Sequence, residues 1–474
     1  MYVLYVLLLI PLILVVRALL FRPKERGEIK IENAAIDFDK AVQRFAGMIK
    51  IPTVSHQDIS LEDPAPFKKF QDYLLSEYPL VTKNCPRKLL GAKGLLYYWK
   101  GKSSDKASVF MAHYDVVPVN RESWSCEPFC GEIIDNVLWG RGTLDTKGTL
   151  CGVMEAAEYL LANGFVPKHD IYLSFSGDEE PHGPSCPAIV EYLKQQNIRV
   201  EFVLDEGGAV VEGIFPGIHK RFAVIGIGEK GQMDISLSME SPGGHASAPP
   251  RHTIAGELSK AVCAIENNPF PMHVTPPVSL MFNTLGRYAK FTMKLIFANI
   301  RLFYPLFNML TKKTGGELNA MLRTTVAVTK MEGSAAFNVI PPKASVGMNI
   351  RYLAEDGHEK IIEHFKTIIK NKKIKIDVIY DEPPSRYSKT NCPEYEMLTD
   401  AINQTWEDAV VTPYLMMACS DSRHYSKISD KVYRFSAMHL TKEERSLIHG
   451  NDERIRLEEF KQTLNFFVRI MQKF

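Results

Sequence analysis

The sequence lacks the cysteine pattern of a disulfide scaffold or a zinc finger. Its eight cysteines are scattered over 474 residues, and no two of them form a Cys-x-x-Cys pair. Cys126 and Cys130 have the spacing to meet on one helical turn, but buried free thiols are the expected state of most of the set. A small domain held together by disulfide bonds is therefore excluded.

The sequence also lacks an excess of charge of either sign. It contains 57 Lys and Arg and 55 Asp and Glu, a net charge of +2. This balance provides no global field for nucleic acid, and no nucleic-acid-binding motif is present, so we predict no nucleic-acid partner. The composition is 45% hydrophobic and 24% charged, which is typical of a globular protein with a large core and about three domains or fewer.

The apolar N-terminus lacks the features of a cleaved signal peptide. Residues 1–21 are apolar apart from Arg17, and they are long enough to cross a bilayer if the Arg17 side chain reaches the interface. The n-region at the start of this stretch contains no Lys or Arg, and no small-x-small cleavage site follows the apolar core. We therefore predict an uncleaved N-terminal transmembrane helix that makes this a single-pass, membrane-anchored protein. By the positive-inside rule the main body is cytoplasmic, with a secreted or lumenal body as the alternative, because a basic flank follows the span: Arg17, Arg22, Lys24 and Arg26.

Three apolar runs that each lead to a histidine or an acid indicate a buried sheet with polar groups at one edge. Residues 108–112 precede His113, residues 171–175 lead to Glu179 and Glu180, and residues 202–204 precede Asp205. Such runs are typical of strands buried in a parallel sheet, and ligands bind at the carboxyl edge of these sheets. A helix is predicted over residues 149–162. We predict an α/β fold, a mixed sheet with helices on both faces, built from residues 30–230 and 384–474.

Residues 231–383 have a different pattern, in which the predicted strands alternate between apolar and polar side chains. The strands are expected at 234–239, 324–329, 345–352 and 374–379, and the helices at 252–267 and 359–370. This order is a βαββαβ layout, which predicts a small two-layer α+β domain inserted into the larger one.

Two pairs of neighbouring polar side chains have the spacing of a catalytic or metal site. His113 and Asp115 are two residues apart, so on an extended chain they share one face and the carboxylate is able to orient a metal-bound imidazole. A buried histidine bonded to an aspartate without metal is the alternative. Glu179 and Glu180 leave one turn in different directions, which offers a general base beside a metal ligand, or else a solvated surface pair.

A set of imidazole and carboxylate groups has the hardness that zinc accepts: His113, Asp145, Glu180, Asp205 and His449. Asp145 precedes the helix predicted at 149–162, where an N-cap role is the alternative. If Asp145 bridges two Zn²⁺ ions, their four positive charges are cancelled by three carboxylates and one hydroxide, which suits a deep pocket. Glu179 is then free to act as the base.

Four separated blocks resemble the signature blocks of the di-zinc metallopeptidase family that contains aminoacylase, acetylornithine deacetylase and glutamate carboxypeptidase. They are AHYDVVP at 112–118, GRGTLDTKG at 140–148, GDEE at 177–180 and HGNDER at 449–454. The match runs from about residue 36 to the C-terminus. Residues 322–325 and 337–351 also resemble the branch of vacuolar carboxypeptidase S and the secreted N-fatty-acyl-amino-acid hydrolases.

The resemblance implies a role for each matching residue. It implies two Zn²⁺ ions held by His113, Asp145, Glu180, Asp205 and His449. It implies that Glu179 is the general base and acid, with Asp115 beside it among the catalytic residues. It further implies that the inserted domain is a lid that often forms a homodimer, that His245 polarises the scissile carbonyl, commonly across the dimer, and that Asn338 and Arg351 hold the substrate. For Arg351 a surface ion pair on a strand is the alternative.

The predicted function is that of a membrane-anchored zinc hydrolase. It cleaves the amide bond of an N-acyl amino acid or a small peptide with a free carboxylate, in the manner of a carboxypeptidase or an aminoacylase. The alternative is a non-catalytic relative that acts as a membrane-associated binding or scaffold protein. Loss of the predicted ligands would favour that alternative, and all of them are present.

A stretch of the predicted lid lacks acidic residues altogether. Residues 268–316 contain no Asp or Glu. Arg287, Lys290, Lys294 and Arg301 recur at steps of three, four and seven, which predicts one face of a helix around residues 287–304. Such a basic amphipathic helix lies on anionic lipid or lines an entrance for apolar substrates, and an ordinary lid helix packed at a dimer interface is the alternative.

Overall fold

The computed structural model of the chain describes residues 2–23, 27, 31–213, 218 and 220–474, with side chains from residue 9 onward. The described helices are α1 (Tyr2–Leu20), α2 (Phe38–Ile49), α3 (Pro64–Glu77), α4 (Pro79–Asn84), α5 (Lys147–Ala162), α6 (Ser185–Gln195), α7 (Ile254–Asn267), α8 (Pro276–Gly286), α9 (Phe291–Ala298), α10 (Ile300–Thr314), α11 (Gly316–Leu322), α12 (His358–Ile369), α13 (Pro393–Thr405), α14 (Ser422–Tyr425), α15 (Lys442–Arg445) and α16 (Leu457–Met471). The described strands are β1 (Arg87–Leu90), β2 (Gly94–Trp99), β3 (Ser103–His113), β4 (Ile133–Ile134), β5 (Val137–Trp139), β6 (His169–Ser176), β7 (Val200–Val211), β8 (Phe222–Glu229), β9 (Gly231–Glu240), β10 (Gly244–His245), β11 (Thr325–Glu332), β12 (Val339–Ile340), β13 (Lys343–Tyr352), β14 (Lys375–Glu382), β15 (Val410–Met416), β16 (Val432–Leu440) and β17 (Arg454–Arg456).

The main body is built on an eight-stranded mixed sheet in the order β1-β2-β6-β3-β7-β16-β8-β15. β3 pairs in parallel with β6 and β7, whereas β2 pairs with β6 in the antiparallel direction. Helices cover both faces, since Phe110 lies in a core shared with α5 and α16 and its neighbour Val109 lies in the opposite core shared with α6. The prediction of an α/β fold with a mixed sheet is confirmed. The apolar run of β3 exists because both of its faces are buried.

Residues 231–382 contain a second, four-stranded sheet in the order β11-β13-β9-β14, which we call the four-stranded module. All of its neighbouring strands are antiparallel. Alternate side chains of β9, such as Ile235 and Leu237, point into a core that Leu258 of α7 and Phe365 of α12 complete. The strands and helices predicted for this region all occur, and each lies within a few residues of its expected bounds.

Helices α8 to α11 interrupt the module in sequence but pack elsewhere. Val278, Met281 and Leu285 of α8 belong to the core of the main body, together with residues of β15 and α13. The chain therefore crosses between main body and module four times: at Lys230, at 268–275, at 323–324 and at 383–385. The basic stretch placed in the lid by its sequence position thus lies on the main body.

The prediction of one continuous basic helix around residues 287–304 is wrong. Helix α8 ends at Gly286, and Lys290 is the N-cap residue of α9. Asn299 separates α9 from α10 with φ −130° and ψ 31°, which is outside the helical region. Its side chain amide donates to the carbonyls of Leu295 and Leu14, so the break is held by hydrogen bonds.

The predicted N-terminal transmembrane helix is also wrong. Among the described residues, no helix combines the length and the apolar character needed to cross a membrane. Helix α1 contains Pro11 and Arg17, and the Arg17 guanidinium donates to the carbonyl of Ala298 at the end of α9 at 2.9 Å. The single-pass membrane anchor, and the localisation based on it, are therefore corrected. Met1, Lys24 and Arg26, which the prediction also used, lie outside the described residues.

Candidate active site

A cavity of about 470 Å³ lies at the carboxyl ends of β3 and β6, between the main body and the four-stranded module. Asp145, Glu179, Glu180 and His449 line it from the main body, and Arg351 lines it from β13 of the module. His113 is the last residue of β3, and the Glu179–Glu180 turn begins three residues after β6 ends. The sheet therefore delivers most of the predicted site residues to one place.

Asp145 lies between the two histidines of the predicted metal site. Its Oδ1 is 2.9 Å from Nε2 of His113, and its Oδ2 is 2.9 Å from Nε2 of His449. His449 Nε2 is also 3.2 Å from Oε2 of Glu180. Hydrogen bonds from His113 and His449 lower the pKa of the Asp145 carboxyl below its usual range, although burial opposes this shift. An aspartate that faces two imidazoles with different oxygens has the geometry of a bridging ligand.

Asp115 holds the turn that carries the paired glutamates. Its Oδ1 accepts from the backbone N–H of Glu179 and its Oδ2 accepts from that of Glu180, both at 3.1 Å. Oδ2 also accepts from the Ser55 hydroxyl at 2.8 Å, and Nδ1 of His113 lies 3.3 Å from Oδ1. One buried carboxylate thus orients an imidazole and two carboxylate-bearing residues at once.

Sequence reasoning missed the residue that shapes the loop around Asp145. The fully buried Glu453 accepts from Arg141 Nη1 at 2.6 Å, and from the backbone N–H groups of Leu144 at 2.7 Å and Asp145 at 3.2 Å. Burial raises the pKa of its carboxyl, and the Arg141 charge opposes that shift. Glu453 follows His449 in the block that carries the resemblance, and that proximity is the only sequence signal for its role.

The structure separates the two neighbouring acids of β7. Asp205 is buried, does not line the cavity, and accepts from the backbone N–H of Ser422 at 3.0 Å. Glu206 lines the cavity, and its Oε1 lies 3.3 Å from Nε2 of His113. Glu206 was not predicted. The alternation of a strand sends adjacent side chains to opposite faces, and of the two acids only Glu206 lines the cavity.

Burial sets the protonation of the proposed base. Glu179 is 7% exposed, and burial raises the pKa of its carboxyl well above the usual range. The His113 charge opposes this shift, whereas Glu206, Asp421 and Glu180 add to it. A raised pKa makes a carboxylate a better proton acceptor, which suits a general base that later acts as an acid.

A group of cationic and neutral side chains forms the wall of the cavity beside Arg351. Arg351 Nη1 donates to Sγ of Cys419 at 3.1 Å, and Arg423 Nη2 lies 3.1 Å from Nδ1 of His182. Burial, together with the charges of Arg423 and Arg351, lowers the pKa of His182 to about 4, so the imidazole is neutral. No described carboxylate lies within ion-pair distance of Arg351 or Arg423. Arg351 therefore presents positive charge to the cavity without a paired carboxylate among the described residues, and Arg423 lies behind the lining residue His182.

Two predicted residues lie away from the cavity. His245 and Asn338 are exposed on the module, where β10 pairs with β12 and Ala246 donates its backbone N–H to the Asn338 carbonyl at 2.9 Å. Neither lines the cavity of its own chain. Their roles in substrate binding remain predictions.

The donor set fits a divalent metal ion. His113, Asp145 and Glu180 place one ligand atom each within 4.8 Å of one another, as do His113, Glu179 and Glu206. Oε1 of Glu180 is buried and has no hydrogen-bond partner among the described residues. A buried carboxylate oxygen without a donor is costly unless a cation pairs with it. Imidazole and carboxylate donors together are ligands that zinc accepts.

Comparisons with known proteins agree with this geometry. A family profile described as peptidase family M20/M25/M40 matches residues 109–473. The chain is 35% identical over 414 residues to the probable carboxypeptidase S-like 2 of Dictyostelium discoideum, covering 86% of this chain and 79% of the relative. It is 32% identical over 447 residues to the N-fatty-acyl-amino acid synthase/hydrolase PM20D1 of Xenopus tropicalis, covering 93% and 87%.

A solved structure shares the fold. The M20 family metallo-carboxypeptidase from Sulfolobus solfataricus superposes with a TM-score of 0.66 at 16% identity, covering 91% of this chain and 98% of that chain. At this low sequence identity the similarity shows only that the two proteins share a fold.

Proposed function

The chain belongs to peptidase family M20/M25/M40 and is a hydrolase of the metallopeptidase class, and from this premise we propose how its residues divide the reaction. The substrate is an N-acyl amino acid or a small peptide with a free carboxylate, and the bond cleaved is the amide. The observation that carries the proposal is the position of Asp145 between two imidazoles, with the buried Glu179 beside them. The non-catalytic alternative is not favoured.

Two Zn²⁺ ions are the proposed cofactors. The residues that would hold them are Asp145, which lies between the two histidines, with His449 and Glu180 on one side of it and His113 on the other. For the remaining carboxylate the geometry supports Glu206, because Glu206 faces His113 whereas Asp205 faces Ser422. When bound, zinc supplies a Lewis acid and lowers the pKa of a water molecule.

Glu179 moves the protons in the proposed mechanism. Its carboxylate accepts the proton of the attacking water as the new C–O bond forms at the amide carbon. The same carboxyl then donates that proton to the leaving nitrogen as the C–N bond breaks, and returns to its starting state. Asp115 fixes the position of Glu179 through its backbone N–H. The raised pKa of Glu179 suits both steps.

The unpaired charge of the cavity wall supports a substrate with a free carboxylate. Arg351 is the proposed direct partner, because it lines the cavity and its planar guanidinium matches a carboxylate. Arg423 is a proposed positioning residue that adds positive charge from behind Cys419 and His182. His245 and Asn338 are exposed on their own chain, and we propose that they complete the cavity of a second copy in a homodimer.

The decisive experiment compares wild type with Glu179→Gln in the zinc-loaded full chain. We expect the variant to retain zinc but to lose turnover by a factor of about 10²–10⁴, because the proton carrier is removed and the ligands stay. Glu191→Gln, on the exposed face of α6, is the matched control and keeps wild-type turnover. Turnover near the wild-type value in Glu179→Gln would contradict the assignment of Glu179 as the general base and acid.

The substrate class is tested with a panel of N-acetyl amino acids, N-oleoyl amino acids and dipeptides. Carboxamide forms of the same compounds serve as controls. We expect kcat/KM to be lower by about 100-fold for the carboxamides, since they cannot pair with Arg351. Equal rates for acids and carboxamides would contradict the proposed carboxylate site.

A further inference from the structure

Two cavities that lie apart from the candidate active site meet along helix α8. The larger, of about 650 Å³, lies between α1 and helices α8 to α10, and we call it the α1 cavity. The smaller, of about 420 Å³, lies between α8, α13 and β15, and we call it the α13 cavity. Asn283 and Arg287 line both, so the two adjoin at these side chains. Together they form what we call the α8 groove, and none of its residues lines the candidate active site.

The α1 cavity is electropositive. Arg17, Arg287 and Arg301 line it, and no described carboxylate lies within ion-pair distance of any of them. The surrounding sequence supplies none either, because residues 268–316 contain no Asp or Glu. Arg287 donates to the Asn283 side chain and to the carbonyl of Arg22, which uses three of the five N–H donors of a guanidinium. Donors therefore remain for an anion.

Apolar side chains form the rest of the α1 cavity wall. Phe282 and Phe297 form its buried side, whereas Leu20 and Leu302 are 74% and 57% exposed at its rim. Exposed leucines are common singly, but here they border a cavity that already contains buried aromatic rings. Apolar walls with positive charge and no acid suit a molecule that has an alkyl chain and an anionic end.

The α13 cavity carries a stripe of polar atoms with unmet hydrogen bonds. Tyr395, Thr399 and Asn403 follow one another at four-residue steps, so they share one face of α13. The Tyr395 hydroxyl, the Thr399 hydroxyl and the Asn403 Oδ1 are all buried and have no hydrogen-bond partner among the described residues. Each such atom is costly without a hydrogen-bond partner, which a water molecule or a polar group of a ligand in the cavity can supply. The stripe therefore fits a polar head group that enters the cavity.

We propose that the α8 groove binds a free, single-chain anionic amphiphile of the long-chain acyl carboxylate class. The alkyl chain lies in the α1 cavity, the carboxylate pairs with Arg287, and hydrogen-bonding groups of the head reach the stripe on α13. Both cavity volumes lie within the roughly 300–1,000 Å³ that small-molecule sites occupy. A bilayer surface is a poorer fit, because it would leave the buried stripe of α13 unpartnered.

Binding of sodium laurate, below its micellar concentration, to the zinc-loaded full chain tests the proposal by calorimetry. The variant is Arg287→Gln combined with Arg301→Gln. The matched control is Lys312→Gln combined with Lys313→Gln, which removes the same charge from the end of α10, outside the groove. We expect laurate affinity to fall by about tenfold or more in the first variant and to stay at the wild-type value in the control. Dodecyltrimethylammonium, with the same chain and the opposite charge, is expected not to bind.

A second variant addresses the head-group end of the groove. Asn403→Leu keeps the size of the side chain and removes its amide. We expect this variant to weaken the binding of N-lauroylglycine more than the binding of laurate. Both measurements use the Glu179→Gln background, so that N-lauroylglycine is not hydrolysed. Equal laurate binding by wild type and the double arginine variant would overturn the proposal, since the ligand would then lie elsewhere. Arginine-dependent binding to phosphatidylserine-containing vesicles without binding of free laurate would also overturn the proposal, because the α8 groove would then bind a membrane surface and not a free amphiphile. Laurate is not an amide, so these outcomes are independent of hydrolysis.

Discussion

Asp115 shows how much of this site depends on a single buried side chain. It is fully buried, it accepts from two backbone N–H groups and one hydroxyl, and it contacts the imidazole of His113. The sequence indicated its partnership with His113 from a spacing of two residues. Asp115 also accepts hydrogen bonds from Glu179 and Glu180, which lie 64 and 65 positions further along the chain. No local sequence pattern predicts such a contact.

The neighbouring acids of β7 provide a test at the same scale. We expect Glu206→Gln to lower the affinity for the second zinc ion by more than about 100-fold, beyond the cost typical of a residue that only orients a ligand. Asp205→Asn removes the same charge, but the Asp205 side chain faces Ser422, so we expect this variant to keep two zinc ions per chain. Zinc content after dialysis against a weak chelator measures both. If Asp205→Asn alone loses the metal, Asp205 is the ligand.

At the residue scale, motifs indicated side chains that lie close together in the structure, whereas the choice between two neighbouring acids depends on geometry; the metal-binding roles of these residues stay predictions. His113, Asp145, Glu180 and His449 were indicated by block and spacing, and the structure brings them together. The choice between Asp205 and Glu206 depends on which face of β7 meets the cavity. Since β7 is buried on both faces over this stretch, its sequence has no alternation from which to read that choice.

At the scale of elements, the loop before α5 and the turn before β17 are joined through Glu453. Its carboxylate satisfies Arg141 and three backbone N–H groups of the loop that carries Asp145. We expect Glu453→Ala to lower the free energy of unfolding by about 3–5 kcal/mol, because it leaves a buried guanidinium unpaired. Urea unfolding followed by circular dichroism measures the change.

A matched control lies ten residues away on α15. Glu443 is exposed, and Glu443→Ala is expected to change the free energy of unfolding by no more than about 0.5 kcal/mol. Similar losses for the two variants would show that the Glu453 network contributes little beyond a surface charge.

Elements were easiest to predict where burial imposes a period on the sequence. The strands and helices of the four-stranded module follow such periods and occur as expected. The prediction for the basic stretch was wrong because the steps from Arg287 to Arg301 mimic one helical face, whereas the chain leaves the helix between α8 and α9 and again at Asn299. The Asn299 break is held in part by a contact with α1, and the periodicity of the sequence does not reveal such a contact.

At the scale of the whole molecule, the exposed positions of His245 and Asn338 lead to a mixing experiment. Glu179→Gln and His245→Ala are each expected to be inactive alone. If a second copy supplies His245, random mixing of the two in a twofold dimer restores one intact site in each mixed dimer, about a quarter of wild-type activity. Steady-state rates after co-refolding measure this.

The matched mixture uses Glu179→Gln with Arg351→Ala. Glu179 and Arg351 line the same cavity of one chain, so mixed dimers contain no intact site and the mixture stays inactive. Recovery in both mixtures, or in neither, would count against a site shared between copies.

The overall architecture could be read from the sequence because a buried sheet and an alternating one leave different patterns. The membrane anchor was misjudged from composition alone: residues 1–21 are apolar, yet the described part of α1 lies against α9, with Ala18 buried and Arg17 bonded to Ala298. Contacts made 281 residues away cannot be seen in the apolar run itself.

Hydrogen bonds link the four crossings between main body and module to one another. At the first crossing Lys230 Nζ donates to the carbonyl of Arg323 at the third, and at the fourth Ser385 donates its backbone N–H to the carbonyl of Glu229. The second crossing is bonded beside the third, since His273 donates its backbone N–H to the carbonyl of Leu322. The module that carries Arg351 is thus joined to the main body through four linked segments, and any displacement of the module as a whole would change the distance between Arg351 and the paired glutamates.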